Sequence, residues 1–346
     1  MLDDLKFIHE KDQQDALGVA EKQSEQYLYD YGFTWKAPEW IRNLVVAGMG
    51  GSALAAKAFK TYPGVPVPFE IVQDYELPKI VSTQTLLVCS SYSGNTEETV
   101  SVLEQALALP EDTRPMIVVV ASGGKLQEIA GSNNLPFVQL PTGYQPRHTF
   151  GYQYRALSEI CASTGLQSKF LPELEAAIPG LRGQISLWLP TVATAKNPAK
   201  QIAQELLGKS TVIYAGPKLA PAAYKWKISF NENAKAIAWW NVYPEFNHNE
   251  FLGWTKQPEH KPYTVIDLRS SLEHPQVQKR FEVSSRLLSG VRPEPIVVTA
   301  VGETLLDQLL SIIALGDFVS LYQGILAGIN PTPVELIEKL KTELVK

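Results

Sequence analysis

Two cysteines and five histidines in 346 residues leave little material for several kinds of protein. Cys89 and Cys161 cannot form the disulfide framework of a small secreted scaffold. Cys89 falls inside an apolar run, where it reads as a small core residue. No second His or Cys lies at ligand spacing from His248, so no metal site is expected there. An excess of basic charge is also missing: the net charge of −5 gives no general attraction for nucleic acid or an anionic membrane. An anionic ligand must therefore be drawn by local donors. Membrane-spanning apolar runs are lacking too, since Leu305 to Val319 is interrupted by Asp307 and Asp317. The opening Met1-Leu2-Asp3-Asp4-Leu5 is acidic and mixed, unlike a signal peptide. These absences predict a cytoplasmic protein with neither nucleic acid nor membrane as a partner.

What the chain does have is apolar material, 45% of its residues, enough for two ordinary cores. A Gln-, Glu- and Lys-rich stretch from Asp4 to about Gly32 predicts a leading helix. Strands are then expected at Leu44–Ala47, Phe69–Val72, Leu86–Ser90, Met116–Ala121 and Phe137–Leu140, with helices in most gaps and another at Tyr152–Ser163. The alternation restarts at Thr211–Gly216 and continues through Ala236–Trp240, Thr264–Leu268 and Pro295–Thr299. Helices from about Leu305 to Leu326 and Pro333 to Val345 close the chain. Strand–helix alternation predicts an α/β fold with parallel sheets covered on both faces. The expected organisation is a helical segment at 1–37, a first domain at 38–165, a Pro-rich helical linker at 166–199 and a second domain at 200–346.

The most informative segment runs from Leu87 to Thr99. An apolar strand ends in Ser90-Ser91-Tyr92-Ser93-Gly94-Asn95-Thr96, and a helical pattern (Val100, Leu103, Ala106, Leu107) starts at once. Free backbone N–H groups and the positive end of a helix dipole meet there, which favours an anion. The hydroxyls of Ser91, Ser93 and Thr96 suit phosphate oxygens, and Gly94 permits backbone geometry that a Cβ resists. The loop has no Lys, so it is not a nucleotide P-loop. Simple capping of the helix by Asn95 or Thr96 is the plainer reading.

A second turn of this kind follows the strand Leu44–Ala47: Gly48-Met49-Gly50-Gly51-Ser52, leading into a helix over Ala53–Phe59. With Ala53 it fits the dinucleotide pattern, and Asp74 stands roughly where a ribose-binding acid would. An NAD-dependent dehydrogenase is one reading. The Ser-rich loop argues against it, because a dinucleotide site needs no second anion cradle on a neighbouring strand. A tight turn for helix–strand packing explains two glycines, but not Ser52 with them.

Gly48-Met49-Gly50-Gly51-Ser52, Ser91-Tyr92-Ser93-Gly94-Asn95-Thr96-Glu97-Glu98 and Pro146-Arg147 together resemble the sugar isomerase (SIS) domain. More narrowly, they resemble the bifunctional phosphoglucose/phosphomannose isomerases. The resemblance is strong in the first half of the chain and thinner in the second. It implies two SIS-type domains, each a flavodoxin-like three-layer sandwich. It also implies an aldose–ketose isomerase for glucose 6-phosphate, mannose 6-phosphate and fructose 6-phosphate, needing no cofactor. Ser52, Ser91, Ser93 and Thr96 would hold the phosphate, with the backbone of Gly50 and Gly51 close to the substrate. A sugar-phosphate sensor without catalysis would keep the loop but would not need the further residues that follow.

Arg147 ends the last strand region of the first domain, and its non-titrating charge suits a developing enediolate oxygen; a structural salt bridge is the alternative. Glu232, in Asn231-Glu232-Asn233, is a carboxylate of the kind that abstracts a proton beside a carbonyl. The resemblance gives these residues those roles. It also implies that His248 opens the sugar ring from a partner subunit, and hence a homodimer. Trp239, Trp240, Tyr243 and Trp254 flank that segment and would supply interface core. After the turn Asn330-Pro331-Thr332-Pro333, the family's C-terminal Lys matches Lys341, with Lys339 and Lys346 as rivals. The chain departs from the family at Ala53-Leu54-Ala55-Ala56, where more glycine is usual. His148 matches no family role and is expected to be exposed or structural.

Overall fold

The computed structural model describes residues 1–37 and 40–344. It separates into two compact units, Lys22–Pro179 and Met1–Glu21 with Gly180–Lys346. The expected leading helix is broken into α1 (Leu5–Lys11), α2 (Ala16–Glu21) and α3 (Gln23–Gln26). Asp4 caps the start of α1, and Asp12 accounts for the break between α1 and α2. The Asp4 carboxylate accepts the N–H of Lys6 at 3.0 Å, and that of Asp12 accepts those of Ala16 and Leu17 at 2.8 and 2.9 Å. Such side chains offer the backbone an alternative to a continuous helix.

The Lys22–Pro179 unit continues through β1 (Asn43–Ala47), α4 (Gly50–Thr61), β2 (Phe69–Val72), β3 (Thr85–Ser91) and α5 (Glu97–Ala108). Then come β4 (Met116–Ala121), α6 (Gly124–Ser132), β5 (Phe137–Gln139) and α7 (Phe150–Ser163). The unit boundary falls inside α8 (Phe170–Ser186). All five strands are parallel, in the order β2-β1-β3-β4-β5. The chain leaves β1 toward one edge and β3 toward the other. With right-handed crossovers, α4 and α5 therefore lie on opposite faces, and a crevice opens beyond the C-terminal ends of β1 and β3. On one face, α5 and α6 bury Val102, Leu103, Ala106, Leu126 and Ala130 against Val45, Leu87, Cys89 and Val119. Cys89 is fully buried, and desolvation pushes its thiol up to about 12. On the other face α4 packs against α7.

The second unit holds α9 (Pro198–Leu206), β6 (Ser210–Ala215), α10 (Ala220–Asn233), β7 (Ala238–Val242) and α11 (Glu250–Gly253). It ends with β8 (Tyr263–Arg269), α12 (Pro275–Leu287), β9 (Ile296–Thr299), α13 (Leu305–Leu326) and α14 (Glu335–Leu344). Its four strands are parallel, in the order β7-β6-β8-β9. By length and composition α13 could cross a membrane, contrary to the reading of Asp307 and Asp317 as interruptions. It is instead a core helix, 94% buried over its apolar window and packed on α10, α9 and α2. Both acids fit this role. Asp307 completes a capping box with Thr304, each accepting the other's backbone N–H, at 3.0 and 3.1 Å. Asp317 accepts from Lys225 of α10 and from Ser229 Oγ, the latter at 2.8 Å.

Candidate active site

Every phosphate-binding residue expected from the sequence lies at the C-terminal edge of β1 and β3. Gly48 follows β1, and an added Cβ there would stand 2.7 Å from the Ser90 carbonyl. Gly50 opens α4 with φ of +48°, a left-handed conformation that suits glycine. No side chain caps α4, so the first-turn N–H groups of Gly50 and Gly51 are spared for another partner. An added Cβ at Gly51 would come within 3.0 Å of the Pro146 carbonyl. The short 3-10 turn Pro146–His148, and with it Arg147, is thus seated against the start of α4. Ser52 is buried on α4 above a small void shared with Ser90 and Gln153.

After β3 the chain turns through a loop braced by its own hydroxyls. Ser91 and Thr96 share a hydrogen bond of 2.7 Å between their hydroxyls, and Ser91 Oγ accepts the Gly94 N–H at 3.2 Å. Gly94 has φ of +72°, and a Cβ there would meet the Gly123 carbonyl at 1.7 Å, so nothing larger fits. Asn95 does not cap α5; its Oδ1 accepts the Lys125 N–H of α6 at 2.9 Å. Thr96 occupies the N-cap position of α5 without a side-chain cap bond. Two helix N-termini without side-chain caps therefore open at adjacent strands, and Ser93 stands exposed beside them. Glu97 and Glu98 in the first turn of α5 oppose an anion, which leaves the local N–H and hydroxyl donors to overcome them.

Four residues that carried no role in the sequence reading hold this edge in place. Tyr92 Oη donates to the Pro141 carbonyl at 3.0 Å and accepts the Tyr144 N–H at 2.9 Å, tying the segment before Arg147 to the Ser-rich loop. Thr149 Oγ1 donates to the Pro146 carbonyl at 2.8 Å and accepts from Gln153 Nε2 at 2.8 Å. His148 is structural rather than exposed: it is buried, and its carbonyl accepts from Gln26 Nε2 at 2.7 Å. Tyr92, lying between two of the serines, was the one legible signal among them.

In the other unit Glu232 is on the last turn of α10, not in the connection to a strand, and β7 starts two residues later than expected. The flanking asparagines explain the shift. Asn231 Oδ1 accepts the Ala238 N–H at 3.1 Å, and Asn233 Nδ2 donates to Ser320 Oγ of α13 at 2.9 Å. Both therefore fasten the helix end, and Glu232 between them is half-buried. Lys235 Nζ donates to the Glu232 carbonyl at 2.7 Å and to the Pro331 carbonyl at 2.8 Å, which hitches the Asn-Pro-Thr-Pro turn to the same helix end.

His248 is exposed in a 3-10 turn, Glu245–His248, that follows the C-terminal end of β7. Glu232 precedes the N-terminal end of that strand, so the two stand at opposite ends of β7, whose five residues span about 13–17 Å by strand rise. The structure does not bring these two residues of one chain together. Of the four aromatics expected at an interface, Tyr243 and Trp254 are instead core residues packed with Tyr214, Phe246 and Phe281. Trp239 is 49% exposed and Trp240 half-buried. Lys341 is exposed on α14 and paired with Glu338 at 3.0 Å. Lys339 is exposed on the same helix, and Lys346 lies outside the described residues.

Comparison with known proteins adds an independent line. Residues 195–344 match the family model described as bacterial phospho-glucose isomerase C-terminal SIS domain. A bifunctional phosphoglucose/phosphomannose isomerase from Caldicellulosiruptor bescii is 33% identical over 311 residues, 88% of this chain and 90% of that protein. A D-glucosamine-6-phosphate 4-epimerase from Sulfolobus acidocaldarius is 35% identical over 211 residues, 61% of this chain and 63% of that one. Among solved structures, a glucose-6-phosphate isomerase like protein from Thermus thermophilus superposes with a TM-score of 0.65 at 17% identity, covering 99% of this chain and 98% of that one. This last likeness concerns the fold.

Proposed function

Because this chain belongs to the family of bifunctional phosphoglucose/phosphomannose isomerases, we propose that it interconverts glucose 6-phosphate and mannose 6-phosphate with fructose 6-phosphate. The observation that carries the reading is the hydroxyl-lined loop Ser91–Thr96 beside two helix N-termini without side-chain caps. That arrangement suits the phosphate common to all three sugars. Ser52, Ser91, Ser93 and Thr96 bind it, with the N–H groups of Gly50 and Gly51 near the sugar. His248, joined by Lys341, opens the ring. Glu232 moves a proton between C1 and C2 through a cis-enediolate, and Arg147 stabilises that anion. The enediolate has lost the C2 stereochemistry, so one site can return either epimer, and the residues named supply the whole proton transfer. The dehydrogenase reading is weakened at Asp74, whose Oδ1 already accepts the Tyr75 N–H at 2.7 Å.

Ser93→Ala tests the phosphate assignment. Ser93 is exposed and its oxygen accepts only the Asn95 N–H, at 3.2 Å, among the described residues. Its O–H is the donor lost. Hydrogen bonds to charged groups contribute about 1.5–3 kcal/mol, so KM should rise roughly 10- to 100-fold with kcat little changed. An unchanged KM would remove Ser93 from the phosphate site.

The separation of Glu232 and His248 along β7 supports a homodimer in which His248 acts in the partner's site. Glu232→Gln and His248→Ala proteins should each be nearly inactive. Co-refolded in equal amounts, half of the dimers are mixed, and one site in each mixed dimer has both native groups, so about a quarter of the sites should recover. No recovery in verified mixed dimers would place both groups in one chain or separate their roles.

A further inference from the structure

Apart from these residues, the second unit holds a cavity of about 410 Å³ whose walls include Trp239, Glu250, Trp254, Gln257, Pro258 and Tyr263. Its sheet residues come from the N-terminal halves of β6, β7 and β8, whereas His248 follows the C-terminal end of β7. Its volume is that of a small organic molecule. Trp239 and Trp254 each pack edge-to-face on Tyr263, with centroids 6.1 and 5.8 Å away and ring planes at 78° and 88°. Three rings so arranged make a corner rather than a flat stacking platform.

The polar side of the cavity is equally fixed. Trp254 Nε1 donates to Tyr214 Oη at 2.9 Å, and Tyr214 Oη donates to Glu250 Oε1. Burial, with the Glu250 charge beside it, pushes the Tyr214 phenol far above its ordinary range, so it stays a donor. The other Glu250 oxygen accepts from Asn241 Nδ2 at 2.6 Å. A carboxylate has about four acceptor positions, so two donors leave it capacity for a ligand. Among the described residues, Glu250 is the only charged one in the lining, which contains no Lys, Arg or His. Aromatic faces and a carboxylate both attract positive charge and repel phosphates. One carboxylate among aromatic rings cannot supply the six or more oxygens of a hard metal cation.

We propose that this cavity binds a small organic ammonium cation of the fully alkylated class. Its alkyl groups would fill the apolar corner while its charge faces the rings and Glu250. The test is titration of the whole protein with choline and with its neutral isostere, the alcohol in which carbon replaces nitrogen, read by tryptophan fluorescence and calorimetry. Choline should bind saturably and at least about tenfold more tightly than the isostere. Trp239→Ala and Glu250→Gln should each weaken choline binding roughly 3- to 30-fold with circular dichroism unchanged. Trp239 is half-exposed, so its variant decides the matter if Glu250→Gln disturbs folding. The proposal is overturned by equal binding of the isostere, by absence of saturable choline binding, or by choline affinity indifferent to Trp239→Ala. Preferential binding of glucose would make the cavity a neutral-sugar site instead. A change of solution mass in Trp239→Ala would make it a contact between copies of the chain.

Discussion

Glu232→Gln should lose isomerisation by about 10²–10⁴-fold while fructose 6-phosphate still binds. The substitution keeps shape and removes the base. Its surroundings are held by other groups: Asn231 binds the Ala238 N–H, Asn233 reaches Ser320, and Lys235 bridges the helix end to Pro331. Gln matches the Glu side chain in size, so these bonds at the end of α10 should persist in the variant. Steady-state rates and calorimetric binding of the sugar phosphate check the two halves of the expectation. If solvent deuterium still enters C1 or C2 at the normal rate in the variant, another group is the base.

Asp317→Ala should cost about 3–5 kcal/mol of folding stability. Lys225 and Asp317 lie between α10 and α13 with side chains 1% and 7% exposed. Ser229 completes the network, accepting from Lys225 Nζ at 2.7 Å and donating to Asp317. Removing the carboxylate leaves an ammonium buried without its counter-charge, and the desolvation penalty is then uncompensated. Replacing both ends, as in Lys225→Met with Asp317→Leu, should recover most of the loss, because no buried charge is left. Urea unfolding of the parent protein and the two variants measures this. A loss below about 1 kcal/mol for Asp317→Ala would mean that water reaches the ammonium. Because α10 carries Glu232, this pair ties the stability of the core to the position of the proposed base.

The parallel sheets were legible because their strands are continuous apolar runs, as in Met116–Ala121, whose expected and observed limits coincide. The limits of α13 lie where they were expected, yet Asp307 and Asp317 were misread as interruptions of its apolar run. Nothing local to Asp317 reveals that Lys225, ninety-two positions away, neutralises it. The leading helix failed for the opposite reason: the local bonds of Asp12 to Ala16 and Leu17 interrupted a helix-rich composition. In the candidate site, the Ser-rich loop could be read from its hydroxyls and glycine. Tyr92 stood out among the serines, but its tie to Pro141 and Tyr144 could not be read, because those partners lie 49 and 52 positions away. The burial of Tyr243 and Trp254 was not legible, because it comes from packing against Tyr214, Phe246 and Phe281 and not from adjacent residues.

Incubation of the purified protein with fructose 6-phosphate in deuterated water, followed by separation of the products, is the most direct test. Both glucose 6-phosphate and mannose 6-phosphate should form, each labelled at C2, without added nicotinamide. Absence of both aldoses, their appearance only with a nicotinamide cofactor, or a C4 epimer as the sole product would contradict it.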